Sequence, residues 1–96
     1  MSPSGLDAVL PTTCRIVQYR LPDRYEGDPT PRWRPAVVTN PFGKLANMTV
    51  FLDGMNDLNP GDPLVGHRGI VVGALLCVGS ASQGTEPGDW RWPPRA

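Results

Sequence analysis

Two triplets of arginine and tryptophan carry the side chains best suited to bind a partner, Arg32-Trp33-Arg34 and Trp90-Arg91-Trp92. Side chains alternate between the two faces of a strand, so Trp90 and Trp92 share one face and Arg91 takes the other. Paired indoles stack on a base or cover an apolar patch, and guanidinium groups pair with phosphate or carboxylate. The predicted partner- or ligand-binding residues are Arg32, Trp33, Arg34, Trp90, Arg91 and Trp92.

Trp90 and Trp92 also have a structural interpretation. The chain holds three Trp, two Tyr and two Phe residues, and 40% of its residues are hydrophobic. A domain of this size has few large side chains with which to fill a core, so the two indoles are candidates for closing the end of a small barrel. The core and interface interpretations are compatible, and the sequence leaves both open.

The sequence offers little for catalysis. Its one histidine, His67, lies in the glycine-rich stretch Gly66-His67-Arg68-Gly69, and nothing nearby supplies a nucleophile for it to activate. The two cysteines, Cys14 and Cys77, lie far apart in apolar stretches without the spacing of a zinc site, which predicts two buried thiols. We therefore expect a protein that is not an enzyme, with no catalytic residue and no cofactor.

A cluster of acidic and amide side chains follows residue 52. Asp53, Asp57 and Asp62 resemble calcium ligands in type, but their spacing does not match a twelve-residue calcium loop and no glutamate closes it. Asp and Asn side chains in turns usually bond their own backbone. We therefore expect no metal site, and a structural turn made of Asp53, Gly54, Asn56 and Asp57.

Frequent proline and glycine shape the elements that must position these residues. The chain contains 12 Pro and 11 Gly, which interrupt any long helix and leave no apolar span of about 20 residues to cross a membrane. Alternating apolar patterns predict strands near 14–21, 36–40, 46–53 and 70–78, and Gly73 predicts a bulge, a bend or a joint between two short strands. The fold class is therefore all-β, as a small partly open β-barrel or two-sheet roll.

The positions of proline and glycine also predict the domain boundaries. We expect a proline-rich N-terminal arm over residues 1–12, a single β domain over 13–92, and a proline-rich C-terminal tail over 93–96. No charged stretch followed by an apolar one opens the chain, so no secretory signal is expected.

Charge is balanced overall but segregated along the chain. Nine Lys and Arg residues match nine Asp and Glu residues, which argues against general DNA binding. Basic residues predominate over 13–46, and acidic residues predominate over 47–90. This asymmetry suits self-association between complementary faces, or it cancels within one molecule once the strands interleave.

Three spaced segments carry a family resemblance. They are Val50-Phe51-Leu52-Asp53-Gly54-Met55-Asn56-Asp57, the tail Pro87-Gly88-Asp89-Trp90-Arg91-Trp92-Pro93, and Arg34-Pro35-Ala36-Val37-Val38 upstream. In their order along the chain, these segments resemble those of a set of small, mostly uncharacterised proteins of tailed bacteriophages and prophages. That family often has histidine between the two tryptophans, where this chain has Arg91. The resemblance implies a viral origin, with a location in the virion or the host cytoplasm.

The expected function follows from the resemblance and the missing catalytic groups. The first hypothesis is a non-enzymatic virion or assembly component, of the accessory or decoration type, that docks on other viral structural subunits or on itself as a homo-oligomer. The alternative is an anti-defence protein that sequesters a host nucleotide signal by tryptophan stacking and arginine–phosphate pairing, or that blocks a host defence protein. Neither hypothesis involves a membrane.

Overall fold

The computed structural model describes residues 9–59, 62–66 and 70–94 of the chain. Within these residues there is no α-helix, and the predicted all-β class is confirmed. The strands are β1 (Ile16–Arg20), β2 (Trp33–Phe42), β3 (Leu45–Phe51), β4 (Ile70–Val72), β5 (Leu75–Ala81) and β6 (Trp90–Arg91), with a single 3-10 turn at Pro63–Gly66. The predicted strand at 36–40 is too short, because β2 continues through Pro35 and Pro41 at its two ends.

The six strands form one antiparallel sheet in the order β4-β5-β3-β2-β1-β6. The sheet curls, because the segment after β5 meets β6 through a single parallel bridge between Gln83 and Trp90. The indole N–H of Trp90 also donates to the carbonyl oxygen of Lys44, at the turn between β2 and β3. One bridge does not make a continuous ladder, so the sheet is not closed into a barrel.

Two tight hairpins set the register of the central strands. Gly43 begins the two-residue turn between β2 and β3, and Gly73 begins the one between β4 and β5, with φ values of 62° and 60°. A positive φ at the first turn position alone is the type II′ geometry, whose twist matches that of the flanking strands. The predicted break at Gly73 is confirmed as a turn that joins two short strands.

The core lies on one side of the sheet, here called the inner face. Strand alternation places Val17 and Tyr19 of β1 opposite Ala36 and Arg34 of β2, and the apolar members of these pairs are buried. The 3-10 turn adds Leu64 to the same cluster. The buried hydrophobic side chains are Val17, Tyr19, Leu21, Ala36, Val38, Ala46, Met48, Val50, Leu52, Leu64, Leu76, Ala81, Trp90 and Trp92.

The prediction of two buried thiols is wrong, because Cys14 and Cys77 are both exposed and free. Cys77 follows the buried Leu76 on β5, so strand alternation turns its side chain away from the inner face. Cys14 precedes β1 in a left-handed backbone conformation, with φ at 72°. The apolar run at 70–78 concealed this alternation, because it is apolar at both odd and even positions.

A buried group of ions ties the segment after β3 to the start of β2. The guanidinium of Arg34 donates from Nε and Nη2 to the two carboxylate oxygens of Asp57, at 2.7 and 2.8 Å. Arg32 donates from Nη1 to Asp62 at 2.9 Å and from Nη2 to the carbonyl oxygen of Pro22 at 2.7 Å. Asp57 is 0% exposed and also accepts the backbone N–H of Asp53. These four charged side chains, Arg32, Arg34, Asp57 and Asp62, are called the ion-pair cluster below.

The ion-pair cluster joins the basic part of the chain to the acidic part. Arg32 and Arg34 come from the region with excess positive charge, and Asp57 and Asp62 from the region with excess negative charge. For these residues the charge asymmetry therefore cancels within one molecule, which is the second of the two alternatives left open by the sequence.

The first prediction concerns Asp57. Replacing one partner of a buried ion pair leaves the other charge buried without compensation, so Asp57→Asn is expected to lower the free energy of unfolding by about 3–5 kcal/mol. Asp23→Asn is the matched control, since Asp23 forms a partly exposed pair with Arg20. Its cost is expected to stay within about 1 kcal/mol. Chemical denaturation measures both changes, and equal losses in the two variants would contradict a special role for the buried cluster.

The second prediction is a loss of stability in acid. Burial raises the pKa of Asp57, but the hydrogen bonds from Arg34 and from the backbone of Asp53 outweigh it and hold that pKa below its ordinary value. A carboxyl group whose pKa is lower in the folded state stabilises the fold fully above its unfolded pKa of about 4. That contribution is lost as the pH falls through the folded pKa.

Denaturation between neutral pH and about pH 2 is therefore expected to show stability falling mainly below about pH 4. The Asp57→Asn variant should show a shallower fall, because it lacks this titrating group. An identical acid dependence in the variant and the natural chain would show that Asp57 does not contribute.

Candidate interaction surface

The side of the sheet opposite the core is called the outer face, and it exposes apolar side chains. Ile16, Phe51 and Val72 are 61%, 48% and 63% exposed, although all three lie in strands. The register aligns Ile16 with Val37, Val37 with Thr49, and Thr49 with Cys77, in a row across four strands. Phe51, Leu75 and Val72 continue the next row. A largely apolar surface therefore extends across β1, β2, β3, β5 and β4.

The part of this surface on β2, β3, β4 and β5 is almost free of charge. Lys44 is the single charged residue in residues 35–51 and 70–81, which supply β3, β4, β5 and most of β2. Exposed strand positions normally carry polar or charged side chains, which keep a sheet face soluble and discourage association. This part of the outer face lacks that protection.

A hollow of about 410 Å³ lies in the middle of the outer face. Asn47, Met48 and Thr49 of β3, Thr39 of β2, and Cys77, Val78 and Gly79 of β5 line it.

Two irregularities in the ladder create the hollow. One bulge lies at Thr39, where β2 carries one more residue than β3, and another lies at Gly79 and Ser80, where β5 does. The carboxamide Oδ1 of Asn47 accepts the backbone N–H of Ser80 at 2.8 Å, and Ser80 adopts a left-handed φ of 53°. The side chain of Asn47 therefore replaces a ladder bond at the bulge and holds the rim of the hollow.

Trp33 and Arg91 meet at the β1 and β6 end of the outer face. The guanidinium of Arg91 lies 3.8 Å from the centre of the Trp33 ring and donates from Nε to the Oε1 of Gln18 at 2.8 Å. Such a cation–π pair holds both flat groups in fixed positions. Of the six predicted binding residues, these two are brought together at the outer face.

Trp90 and Trp92 instead lie in the core, 0% and 6% exposed. Their rings are 5.4 Å apart at an interplanar angle of 89°, an edge-to-face contact. The indole N–H of Trp92 donates to the carbonyl oxygen of Val9, as that of Trp90 does to Lys44. This is the placement expected from the structural interpretation, in which the two indoles close the core.

Arg32 and Arg34 lie within the ion-pair cluster, where the chain's own carboxylates occupy the guanidinium groups. The sequence predicted that they pair with a phosphate or carboxylate of a partner, whereas the carboxylates that they contact here belong to Asp57 and Asp62 of the same chain. The sequence did not indicate that Asp57 and Asp62 supply them, because pairing over 23 and 30 positions depends on the fold.

The predicted turn residues stay together after β3. The carboxylate of Asp53 accepts the backbone N–H of Met55 and the side-chain N–H of Asn56, and Gly54 lies between them. Asp53 and Asn56 therefore make the local bonds that Asx turns favour. Asp57 differs from the others, because its carboxylate faces the buried arginines.

The potentially reactive side chains of the described residues include the exposed thiols of Cys14 and Cys77 and the buried hydroxyl of Tyr19. Burial, with a smaller effect from Asp89, raises the pKa of Tyr19 to about 12, so its hydroxyl stays protonated at neutral pH. In the part of the chain that the structure describes, no three His, Cys, Asp or Glu side chains lie close enough to hold a metal ion. The same part contains no helix long and apolar enough to cross a membrane. The candidate base His67 lies outside the described residues.

The outer face is the feature that the sequence analysis missed. Its signal is the near absence of charge over 35–51 and 70–81, in a chain that is 19% charged overall. That depletion suggests strands protected from water on both sides. Within residues 9–59, 62–66 and 70–94, the chain packs over the inner face of these strands and leaves Phe51 and Val72 of the outer face exposed.

The third prediction separates the core tryptophan from the surface one. Trp90→Ala is expected to cost about 3–5 kcal/mol of folding free energy, since it opens a cavity in the core. Trp33→Ala, the control, removes a partly exposed ring and is expected to cost about 1 kcal/mol or less. Thermal and chemical denaturation measure both. A Trp90→Ala variant as stable as the natural chain would refute its core role.

Comparison of this chain with protein-family models, with curated proteins and with solved structures finds no match in any of the three. The outer face, with its exposed apolar side chains and its hollow, is therefore the feature from which a function is inferred.

Proposed function

We propose that this protein is a non-enzymatic component of a bacteriophage particle, or of its assembly, that docks on neighbouring subunits through the outer face. The single observation that carries the proposal is the exposed, nearly uncharged apolar surface across five strands, which includes Ile16, Phe51 and Val72. A partner that covers this surface removes it from water and stabilises the complex.

The physical argument rests on how rare such surfaces are. Monomeric proteins seldom expose a large contiguous apolar patch, and those that do usually use it to bind. The centres of protein interfaces are depleted in charged residues, and the outer face shares that composition. Because apolar contact is not directional, the surface suits docking on a protein better than recognition of a small polar ligand.

The resemblance to phage proteins supports the viral context of the proposal. In the segment Val50 to Asp57, Val50 is a core residue, Asp53 caps the turn and Asp57 anchors the ion-pair cluster. In the tail segment, Trp90 and Trp92 complete the core. These motif residues therefore help to build the fold, whereas Val37, Phe51 and Arg91 are motif residues that lie on the outer face.

The anti-defence hypothesis ranks second. It calls for accessible indoles and free guanidinium groups, whereas Trp90 and Trp92 lie in the core and Arg32 and Arg34 bind internal carboxylates. Of the six predicted binding residues, Trp33 and Arg91 remain as an aromatic and cationic pair that a nucleotide could contact. One face of that indole is already occupied by the guanidinium.

The fourth prediction tests the docking surface. Phage particles purified by sedimentation are expected to contain this protein, as detected by mass spectrometry. Phe51→Glu places a charge in the apolar surface and is expected to reduce its amount in particles at least about tenfold, an effect of one interface anchor. Met55→Glu is the matched control, because Met55 is 84% exposed in the turn after β3 and lies off the outer face.

Circular dichroism and thermal melting must first show that both variants fold. Particles that lack the natural protein, or that incorporate Phe51→Glu as well as Met55→Glu, would contradict the proposal. A nucleotide that co-purifies with the free protein and is lost in Trp33→Ala would favour the anti-defence hypothesis instead.

A further inference from the structure

We propose that the outer face binds a second copy of this chain in a two-fold arrangement, with the end of the β2–β3 hairpin of each copy seated in the hollow of the other. This inference rests on the proposed function and names the first neighbour that the surface meets. Four features carry it: an exposed ridge, the hollow, their spacing on one hairpin and the lack of charge around them.

The ridge consists of Phe42 and Leu45, a cross-strand pair at the end of the β2–β3 hairpin. The two side chains are 50% and 40% exposed. Leu45 has the same alternation along β3 as Asn47 and Thr49, whereas Ala46 and Met48 between them are buried. Both ridge side chains therefore project from the outer face.

The hollow begins immediately beside this ridge. Asn47, at its rim, is two residues along β3 from Leu45, and Thr49, on its floor, is four residues away. At about 3.4 Å per residue, the ridge and the floor lie roughly 7–14 Å apart on the same strand. The hollow is an open depression and not an enclosed pocket, and its volume of about 410 Å³ leaves room for an aromatic side chain to rest against its floor.

This spacing favours a second copy over an unrelated partner. In a two-fold interface, residue i of one copy contacts residue j of the other, and j then contacts i. A surface that carries a projection and a recess side by side on one hairpin meets that condition when two hairpins lie antiparallel. Each Phe42 then enters the recess of the other copy, and both contacts form together.

The electrostatics of the region permit close contact. Lys44, at the tip of the hairpin, is the single charge in residues 35–51 and 70–81. Two copies can therefore approach without burying like charges against each other, and the polar groups of the hollow are neutral. The Oδ1 of Asn47 already accepts the Ser80 N–H. A side chain of the second copy that packs over Asn47 therefore does not leave this oxygen without a hydrogen bond.

The area of contact indicates how tightly the copies bind. The strands β2, β3, β4 and β5 have 10, 7, 3 and 7 residues, an average of about seven, and at about 4.8 Å between strands they present roughly 450 Å² per copy, or about 900 Å² for two. Stable specific interfaces usually bury about 1,200–2,000 Å² in total. The dimer is therefore expected to dissociate in the micromolar range, and a larger assembly would strengthen it.

Sedimentation of the purified chain from about 1 μM to 500 μM is the first measurement, a range that brackets such an affinity. The natural chain is expected to pass from monomer to dimer. Phe42→Glu removes the ridge and Thr49→Trp fills the hollow, and each is expected to raise the dissociation constant by about 30-fold or more. Tyr25→Glu is the control, since Tyr25 is an exposed aromatic residue in the loop before β2 and should not change association.

Mixing the two variants tests the two-fold geometry. Phe42→Glu keeps an intact hollow and Thr49→Trp keeps an intact ridge, so the mixed pair retains one of the two contacts. It is expected to associate more strongly than either variant alone and more weakly than the natural chain. No recovery in the mixture would overturn the proposed arrangement.

Cross-linking gives a readout that does not depend on affinity. With oxidised glutathione as the two-electron oxidant, the new thiol on the ridge of an L45C/C14S variant is expected to form an intermolecular disulfide with the exposed Cys77 in the hollow. The L45C/C14S/C77S variant is expected to give no cross-linked dimer. A natural chain that stays monomeric at the highest concentration, or a cross-link that persists without Cys77, would overturn the inference.

Different results would overturn the second-copy inference and the proposed function. A monomeric chain that is nevertheless present in particles, and lost from them on Phe51→Glu, would overturn the second-copy inference and leave the docking function standing. A dimer that forms as described but never appears in particles would support this inference and overturn the proposed function.

Discussion

A sheet has two faces, and the loops that the structure describes cover one of them. The segments after β3 and β5 fold over the inner face and bring Leu64, Trp90 and Trp92 into the core. On the opposite side, Phe51 and Val72 are exposed among the described residues. A small domain has a high ratio of surface to volume, so it can bury only part of its apolar surface. This domain buries one apolar layer, on the inner face of the sheet. The outer face follows from the same limit, so the candidate interaction surface is a consequence of the fold.

The ion-pair cluster solves a second problem, which is how a polar segment can be held against an apolar core. Residues 53–59 and 62–66 are rich in Asp, Asn, Gly and Pro, which favour turns and supply few hydrophobic contacts. The two hydrogen bonds between Arg34 and Asp57 hold this segment against β2. Leu64, which belongs to the same segment, is buried in the core. Buried ion pairs add less net stability than apolar packing, but they strongly favour the one geometry that satisfies them. The cluster therefore specifies where the segment lies.

Local patterns in the sequence predicted the all-β class, the positions of four strand regions and the joint at Gly73, because alternation and glycine turns depend on neighbouring residues. The candidate site depends on long-range contacts, so it was harder to predict from the sequence. A strand such as 70–78 is apolar on both sides, so its pattern does not indicate which side the chain covers, and the prediction of a buried Cys77 failed for that reason. The two tryptophan triplets were similarly ambiguous. Burial of Trp90 against Lys44, and pairing of Arg91 with Trp33, follow from the curl of the sheet and not from spacing in sequence.

The contact between Trp90 and Lys44 has a consequence for the order of folding. Each of the two tight hairpins joins strands that are neighbours in sequence, whereas Trp90 reaches back 46 positions to the turn between β2 and β3. Contacts between residues far apart in sequence cost more chain entropy to form than local ones, and they slow folding. The step that limits the folding rate of this chain is therefore expected to be the closure of the inner face by β6, and not the formation of either hairpin.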